Sequence, residues 1–301
     1  MSLESRLYQY GLGAGIPYRG LNSLANAFAV ACNAGEVSRR RRLARQILVN
    51  SPWVGFIPRQ SGYARVQPET LPRTKEVLQA VRDIIKERRR NGWKQSKVNP
   101  VDHLELPEHF RDHPVLLEFA LSDAMLQIVS DYYGMVPQLK EVGVWVTRPQ
   151  KDRANSQLYH LDKPESQIVG LFMNVEHNDM EKGPTTFLPL GVSERVRRRT
   201  RYEAVYFRRD GFLSDEEVFK YCRPEDQLNT EGAPGTGAIV DTSNCLHFGS
   251  RCQAGERVML MVKFMLPHRA RNPRTPLFDL VPEPADEVRR LVLCGANFAN
   301  R

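Results

Sequence analysis

The chain has 301 residues, with Lys and Arg outnumbering Asp and Glu 43 to 35 and a hydrophobic fraction of 41% beside 26% charged residues. That balance excludes a disordered or fibrous chain and is long enough to bury a sizeable core. No apolar run approaches the roughly 20 residues that span a bilayer, and the start MSLESRLYQYGLGAG lacks the apolar region of a secretory signal, so a cytoplasmic location is expected.

In chain order, the first half reads as helical. Leu21 to Val49 begins the expected helical part, which continues in Glu69 to Arg90, with Val77, Leu78, Val81, Ile84 and Ile85 at helical spacing and Pro68 and Pro72 marking its start. His113 to Gly134 follows on a similar period and ends in a glycine suited to a left-handed cap, after which Pro137 blocks continuation. Beyond Gly134 the texture changes to short β-rich runs: VGVWVTR, SQLYHLD, IVGLFMNVE, PTTFLPL, AVYFR, GAIVDT and ERVMLMVKFML. Such spacing predicts a sandwich or barrel. In the last run Val258, Leu260, Val262 and Phe264 take one face and Met259, Met261 and Met265 the other, so that strand is expected to be covered on both sides. The N-terminal helices would then pack outside one sheet while its other face lines the interior. One domain over 1–301 is expected, with a mainly helical part over 1–139, a β core over 140–267 and a Pro-rich, charged extension over 268–301. There is no internal repeat. The five cysteines, Cys32, Cys222, Cys245, Cys252 and Cys294, are scattered without CxxC pairing and are expected to be reduced.

The chemistry concentrates in SQLYHLD. His160 and Asp162 are two apart, so on a strand they project from one face and could share a cation. By composition alone a His-x-Asp arises by chance in about one such chain in three, so its weight comes from context. His247, at the end of the β-run that starts at Gly237, completes a two-histidine, one-carboxylate set that leaves three positions on Fe(II) for a bidentate 2-oxo acid and O2. Arg257 follows ten residues later at the head of a buried strand, on the methionine face. An arginine there is costly without an anion, and its planar fork fits the distal carboxylate of 2-oxoglutarate. The competing partners for it are Asp241 and Glu256. His103, His109, His113, His177 and His268 lack matched partners and read as surface or core histidines.

Several blocks, DYYGMVPQL before VGVWV, then SQLYHLD, IVGLFMNVEHNDMEKGPTTFLPLG, GAIVDTSNCLHFGSR and ERVMLMVKF, resemble in order and approximate spacing the phytanoyl-CoA dioxygenase family of 2-oxoglutarate oxygenases. The resemblance runs from His113 to Leu266, about half the chain. It implies a mainly β fold with flanking α-helices around a double-stranded β-helix, a jelly-roll of the cupin type. It also implies iron on His160, Asp162 and His247, and 2-oxoglutarate on Arg257. Two departures stand out. Pro189, Leu190, Gly191 and Val192 replace a Pro-Gly-Ser-His stretch, and Gly249 replaces a small hydroxyl residue two after the distal histidine. Thr147, Gln157 and Thr186 are the expected replacement contacts to the cosubstrate. Because Asp162 occupies the place that related halogenases give to a small residue, hydroxylation or a related oxidation of a small-molecule C–H bond is expected, with succinate and CO2 released. Trp145, Tyr159 and Asn174 are the expected substrate-pocket residues, and Arg148 the residue that would attract an anionic substrate.

Three basic runs, Arg39 to Arg42, Lys86 to Arg90, and Arg195 to Arg201 with Arg208 and Arg209, raise a different class of reading, nucleic-acid binding or base repair. Solvated helix faces or loops are the expected reading of such runs, and no aromatic residues interleave them, so a nucleic-acid partner is not expected. A jelly-roll that binds metal without catalysis is the remaining alternative.

Overall fold

The computed structural model describes residues 18–93, 101–106, 109–150, 155–162, 167–203, 211–269 and 286–293. The first expected helical stretch forms two helices, α1 (Tyr18–Cys32) and α2 (Ala34–Ile47). Strand β1 (Tyr63–Val66) follows, then α3 (Thr74–Arg90), which begins just after Pro72 and buries Val77, Val81 and Ile84 on one stripe. After β2 (Val101–Glu105) come α4 (Val115–Ala120) and α5 (Asp123–Tyr133). Ser122 caps α5 by accepting a hydrogen bond from Met125 N, and Gly134 closes it at φ 69°.

The second half supplies β3 (Gln138–Thr147), β4 (Ile168–Asn174), β5 (Thr186–Phe187), α6 (Leu190–Thr200), α7 (Asp215–Phe219), β6 (Leu228–Asn229), β7 (Gly237–Asp241), β8 (His247–Phe248), β9 (Arg257–Met265) and α8 (Glu287–Leu293). A six-stranded antiparallel sheet runs β1-β7-β4-β9-β3-β2, and a three-stranded sheet β6-β5-β8 faces it. The expected AVYFR strand lies outside the described residues, as do Arg208, Arg209, Cys294 and most of the C-terminal extension. Cys32, Cys222, Cys245 and Cys252 are free thiols. Among the described residues no helix is long and apolar enough to cross a membrane.

Strand alternation divides the side chains into layers. On one face of the large sheet, Val144, Val146, Val169, Leu171, Val258, Leu260 and Val262 pack under α3, α4 and α5 in the largest apolar cluster. On the opposite face Phe172, Ala238, Val240, Met259 and Met261 meet Phe187 and Cys245 between the sheets. Every residue of β9 is buried, as the two apolar parities predict. A third cluster, with Tyr159, Leu161, Leu188, Leu246 and Phe248, covers the outer side of the small sheet beneath α6 and α7.

The basic runs are partly absorbed into this scaffold. Arg40 is fully buried: its Nε donates to Glu36 at 2.8 Å, and its terminal nitrogens donate to the carbonyls of Val136, Pro137 and Leu291 at 3.2, 3.1 and 2.9 Å. It ties α2 to the start of β3 and to α8. Arg197 is buried against Glu203 and Asn244, and Arg89 pairs with Glu256. Arg40→Met is expected to cost about 3–5 kcal/mol, since it leaves three carbonyls and Glu36 without their donor. Urea unfolding reads this, and a loss below about 1 kcal/mol would show that water replaces the guanidinium without penalty.

Candidate metal centre

The segment carrying His160 and Asp162 is not a regular strand. Asn155–Gln157 forms a single 3-10 turn, and beyond it Tyr159 pairs with Leu213 and His160 with His247 as isolated bridges. His160 and His247 exchange both backbone bonds, at 3.0 and 3.1 Å, which brings the two imidazoles to a centroid separation of 4.4 Å. Asp162 N donates to Thr242 O at 2.8 Å, and Ser243 Oγ donates to Asp162 O at 2.7 Å. The turn supplying those groups is held by the Asp241 carboxylate, which accepts from Tyr132 Oη at 2.7 Å, Asn244 Nδ2 at 2.9 Å and Ser243 N at 3.2 Å. One turn thus places Asp162 and leads directly into His247.

Nε2 of His160, Nε2 of His247 and a carboxylate oxygen of Asp162 lie within 4.8 Å of one another, with Asp162 Oδ1 3.9 Å from each nitrogen. The Nδ1–H of His160 donates to Leu158 O at 2.9 Å, and that of His247 to Cys245 O at 3.0 Å. Each bond fixes the tautomer that turns a bare Nε2 lone pair inward. Burial lowers the pKa of both rings, that of His247 to about 3, so both stay neutral near pH 7. Two lone pairs and a carboxylate oxygen converge, and no donor of the described residues lies between them. A cation satisfies all three, and this nitrogen-rich set with one carboxylate fits Fe(II) with open positions.

Burial alone would raise the pKa of Asp162, but Lys263 and the two imidazoles outweigh it and hold the carboxyl well below the usual range. Lys263 Nζ donates to Asp162 Oδ2 at 2.7 Å. Burial would likewise lower the lysine's pKa, and Asp162 with Glu141 holds it above its ordinary value. Glu141 in turn lies 2.7 Å from His103 Nε2. His103, expected to lack a matched partner, has one in Glu141. Lys263 was missed although the signal was present: it is the one charge within VMLMVKFML, on the parity of Arg257, Met259 and Met261.

Arg257 is buried beside Thr147, its cross-strand partner, and no carboxylate of the described residues lies within ion-pair reach. The two expected competitors are engaged elsewhere, Glu256 with Arg89 and Asp241 with Tyr132 and Asn244. A terminal nitrogen donates to Thr185 Oγ1 and lies 2.7 Å from Met259 Sδ, while Nε, like Thr147 Oγ1, has no hydrogen-bond partner among the described residues. Desolvation lowers the guanidinium's pKa to about 10, which leaves it charged.

The other expected contacts fall less evenly. Trp145 lies on the interior face, its Nε1 buried without a partner and its ring 6.0 Å from Lys263 Nζ. Thr186 donates to Pro184 O on the parity opposite Thr185, so Thr185 rather than Thr186 meets the arginine. Gln157 donates to Ser250 O and accepts from Gln150, joining two loops. Tyr159 faces away from the metal ligands, stacked edge-on against Phe248 with its hydroxyl bonded to Gln227. Asn174 has the interior parity, but its amide is taken by Thr230 O and Asn178. Arg148 pairs with Asp102 at 3.2 Å. Phe212, missed because its run is polar and turn-rich, comes 5.7 Å from His160.

No family model matches the chain, the phytanoyl-CoA dioxygenase family included, and no curated protein matches it. Solved structures do. EctD from S. alaskensis in its apoform is 13% identical over 76% of this chain and 80% of its own, with a TM-score of 0.51. EctD with bound Fe matches at 13% identity and TM-score 0.51 over 73% of this chain and 78% of that one. SnoK, the non-heme alpha ketoglutarate dependent carbocyclase from nogalamycin biosynthesis, is 16% identical over 74% and 86%, with a TM-score of 0.46. The EctD likeness agrees with the sheet topology: the fold is a mainly antiparallel jelly-roll core with flanking helices.

Proposed function

We propose that the chain is an Fe(II)- and 2-oxoglutarate-dependent dioxygenase that hydroxylates an unactivated C–H bond of a small-molecule metabolite in the cytoplasm, acting as one domain. The observation carrying this reading is the pairing of two tautomer-locked imidazoles and Asp162 with a buried arginine that has no carboxylate partner among the described residues. The fold shared with EctD, one structure of which holds Fe, supports it. Within the class, the order of motif blocks favours the phytanoyl-CoA dioxygenase branch.

His160, Asp162 and His247 would hold the iron. Arg257, with Thr147 and Thr185, would receive the distal carboxylate of 2-oxoglutarate, whose two-point geometry suits the free Nε and the terminal nitrogens. Bound iron and 2-oxoglutarate supply the chemistry: O2 delivers one oxygen to the substrate and one to succinate, and CO2 leaves. Phe172, Met259 and Met261 exclude water from the space between the sheets. Trp145, whose ring lies 6.0 Å from Lys263 Nζ, and Phe212, 5.7 Å from the His160 ring, would line the substrate side of the centre. Anaerobic addition of Fe(II) and 2-oxoglutarate should produce the weak visible charge-transfer band of the chelate, and succinate release across a metabolite library then finds the substrate. No band at saturating concentrations of both would defeat the proposal.

A further inference from the structure

Lys263 occupies a position where a charge is costly. It sits in the middle of a fully buried strand, its ammonium 6.0 Å from the ring centroids of Trp145 and Phe172. The sheet makes room for it on both sides. A Cβ on Gly170, its cross-strand neighbour on β4, would come within 3.3 Å of Lys263 Cγ. On β3, Glu141 pairs with it in register, and a Cβ on Gly143 would press to 2.7 Å from the His103 nitrogen that faces Glu141. This is a built place for a cation, and the group it reaches is the second oxygen of the carboxylate ligand, at 2.7 Å.

We infer that Lys263 is a positioning residue that holds Asp162 to one metal-bound oxygen and so keeps open the position O2 needs. A carboxylate can give a cation one oxygen or both. Here Oδ1 faces the two imidazole nitrogens while Oδ2 accepts from the ammonium. Two imidazoles and one oxygen leave three sites of six, two for the 2-oxo acid and one for O2. If Asp162 turned both oxygens to the metal, the sixth site would close. The inference rests on the oxygenase reading, because only that chemistry requires the vacant position.

The test compares the full-length wild type with Lys263→Met, Lys263→Gln and Lys263→Arg. Each is loaded anaerobically with Fe(II) and 2-oxoglutarate and exposed to nitric oxide, which takes the O2 position and gives a high-spin EPR signal. Lys263→Met is expected to bind Fe(II) at least as tightly as wild type yet lose the nitrosyl signal by about tenfold or more, which corresponds to closing that site by direct competition. Lys263→Arg should restore it, and Lys263→Gln, which still donates an N–H, should fall between. A Lys263→Met signal equal to wild type overturns the inference, as does loss of metal binding in that variant with its fold intact by circular dichroism. If Lys263→Met does not fold, a wild-type signal from Lys263→Gln at reduced nitric oxide overturns it, and a weakened signal supports it. Failure of the oxygenase reading shows separately, as absence of the chelate band in the wild type. Co(II) alone then reads the lysine, since a change in its visible absorption between wild type and Lys263→Gln reports the carboxylate's mode, and identical spectra count against the role.

Discussion

Arg257→Met is expected to raise the 2-oxoglutarate concentration for half-maximal turnover by about a hundredfold while making the ligand-free chain harder to unfold. The first effect follows from losing a two-point charge-assisted contact, about 3 kcal/mol, and each 1.4 kcal/mol is tenfold. The second follows from the burial of Arg257, which is 1% exposed and whose hydrogen bonds among the described residues are to a hydroxyl and a thioether from one terminal nitrogen. A buried cation without a carboxylate costs stability, and a methionine beside Met259 replaces it with a shape that packs, for a gain of about 1–3 kcal/mol. Substrate kinetics and urea unfolding read the two effects. An arginine with a purely structural role gives the opposite pattern, an unchanged requirement with lower stability. The melting temperature of the wild type should also rise with 2-oxoglutarate and metal, and that rise should shrink in the variant.

His247→Ala is expected to abolish succinate formation and to lower metal affinity by at least about a hundredfold, beyond the tenfold to hundredfold losses usual for groups that only orient a ligand. The fold should survive, because among the described residues the ring makes a single hydrogen bond, to Cys245 O. A second signature is available without metal. In the folded chain His247 resists protonation until about pH 3, whereas an unfolded histidine takes a proton near pH 6.5. The unfolded state therefore binds more protons between those values, and wild-type stability declines as pH falls below about 6.5. The alanine variant should lose that part of the decline. Retained succinate formation in both His247→Ala and His160→Ala would remove the metal assignment.

Much of this site could be read from periodicity. An arginine in register with the methionines of β9 requires only the alternation of a strand, and the two-residue spacing of His160 and Asp162 brings them together although isolated bridges, not a regular strand, hold their segment. The helical stripe of α3 and the glycine closing α5 are equally local. What escaped was contact across the sheets. Tyr159 adjoins the motif but has the opposite parity, and Thr186 differs from Thr185 by the same single step. Asn174 has the correct parity, yet its amide is consumed by a loop at Thr230 and Asn178 that no spacing announces. The Pro189 to Val192 stretch looked like a gap in a motif and proves to be the start of α6, whose first amide, that of Leu190, donates to Ser61 O. Lys263 was hidden by its apolar neighbours, which drew attention to the strand's burial and away from its one charge.

The interior charges have a consequence for the order of assembly. Among the described residues, Asp162 and Glu141 carry two negative charges on this face and Lys263 and Arg257 two positive ones, so these four balance. A divalent cation and a dicarboxylate also cancel. Either one entering alone leaves two uncompensated charges where the dielectric is low, and the second arrival removes them. On the proposed reading metal and cosubstrate therefore strengthen each other by the same factor, and iron held without 2-oxoglutarate is the loosely bound state.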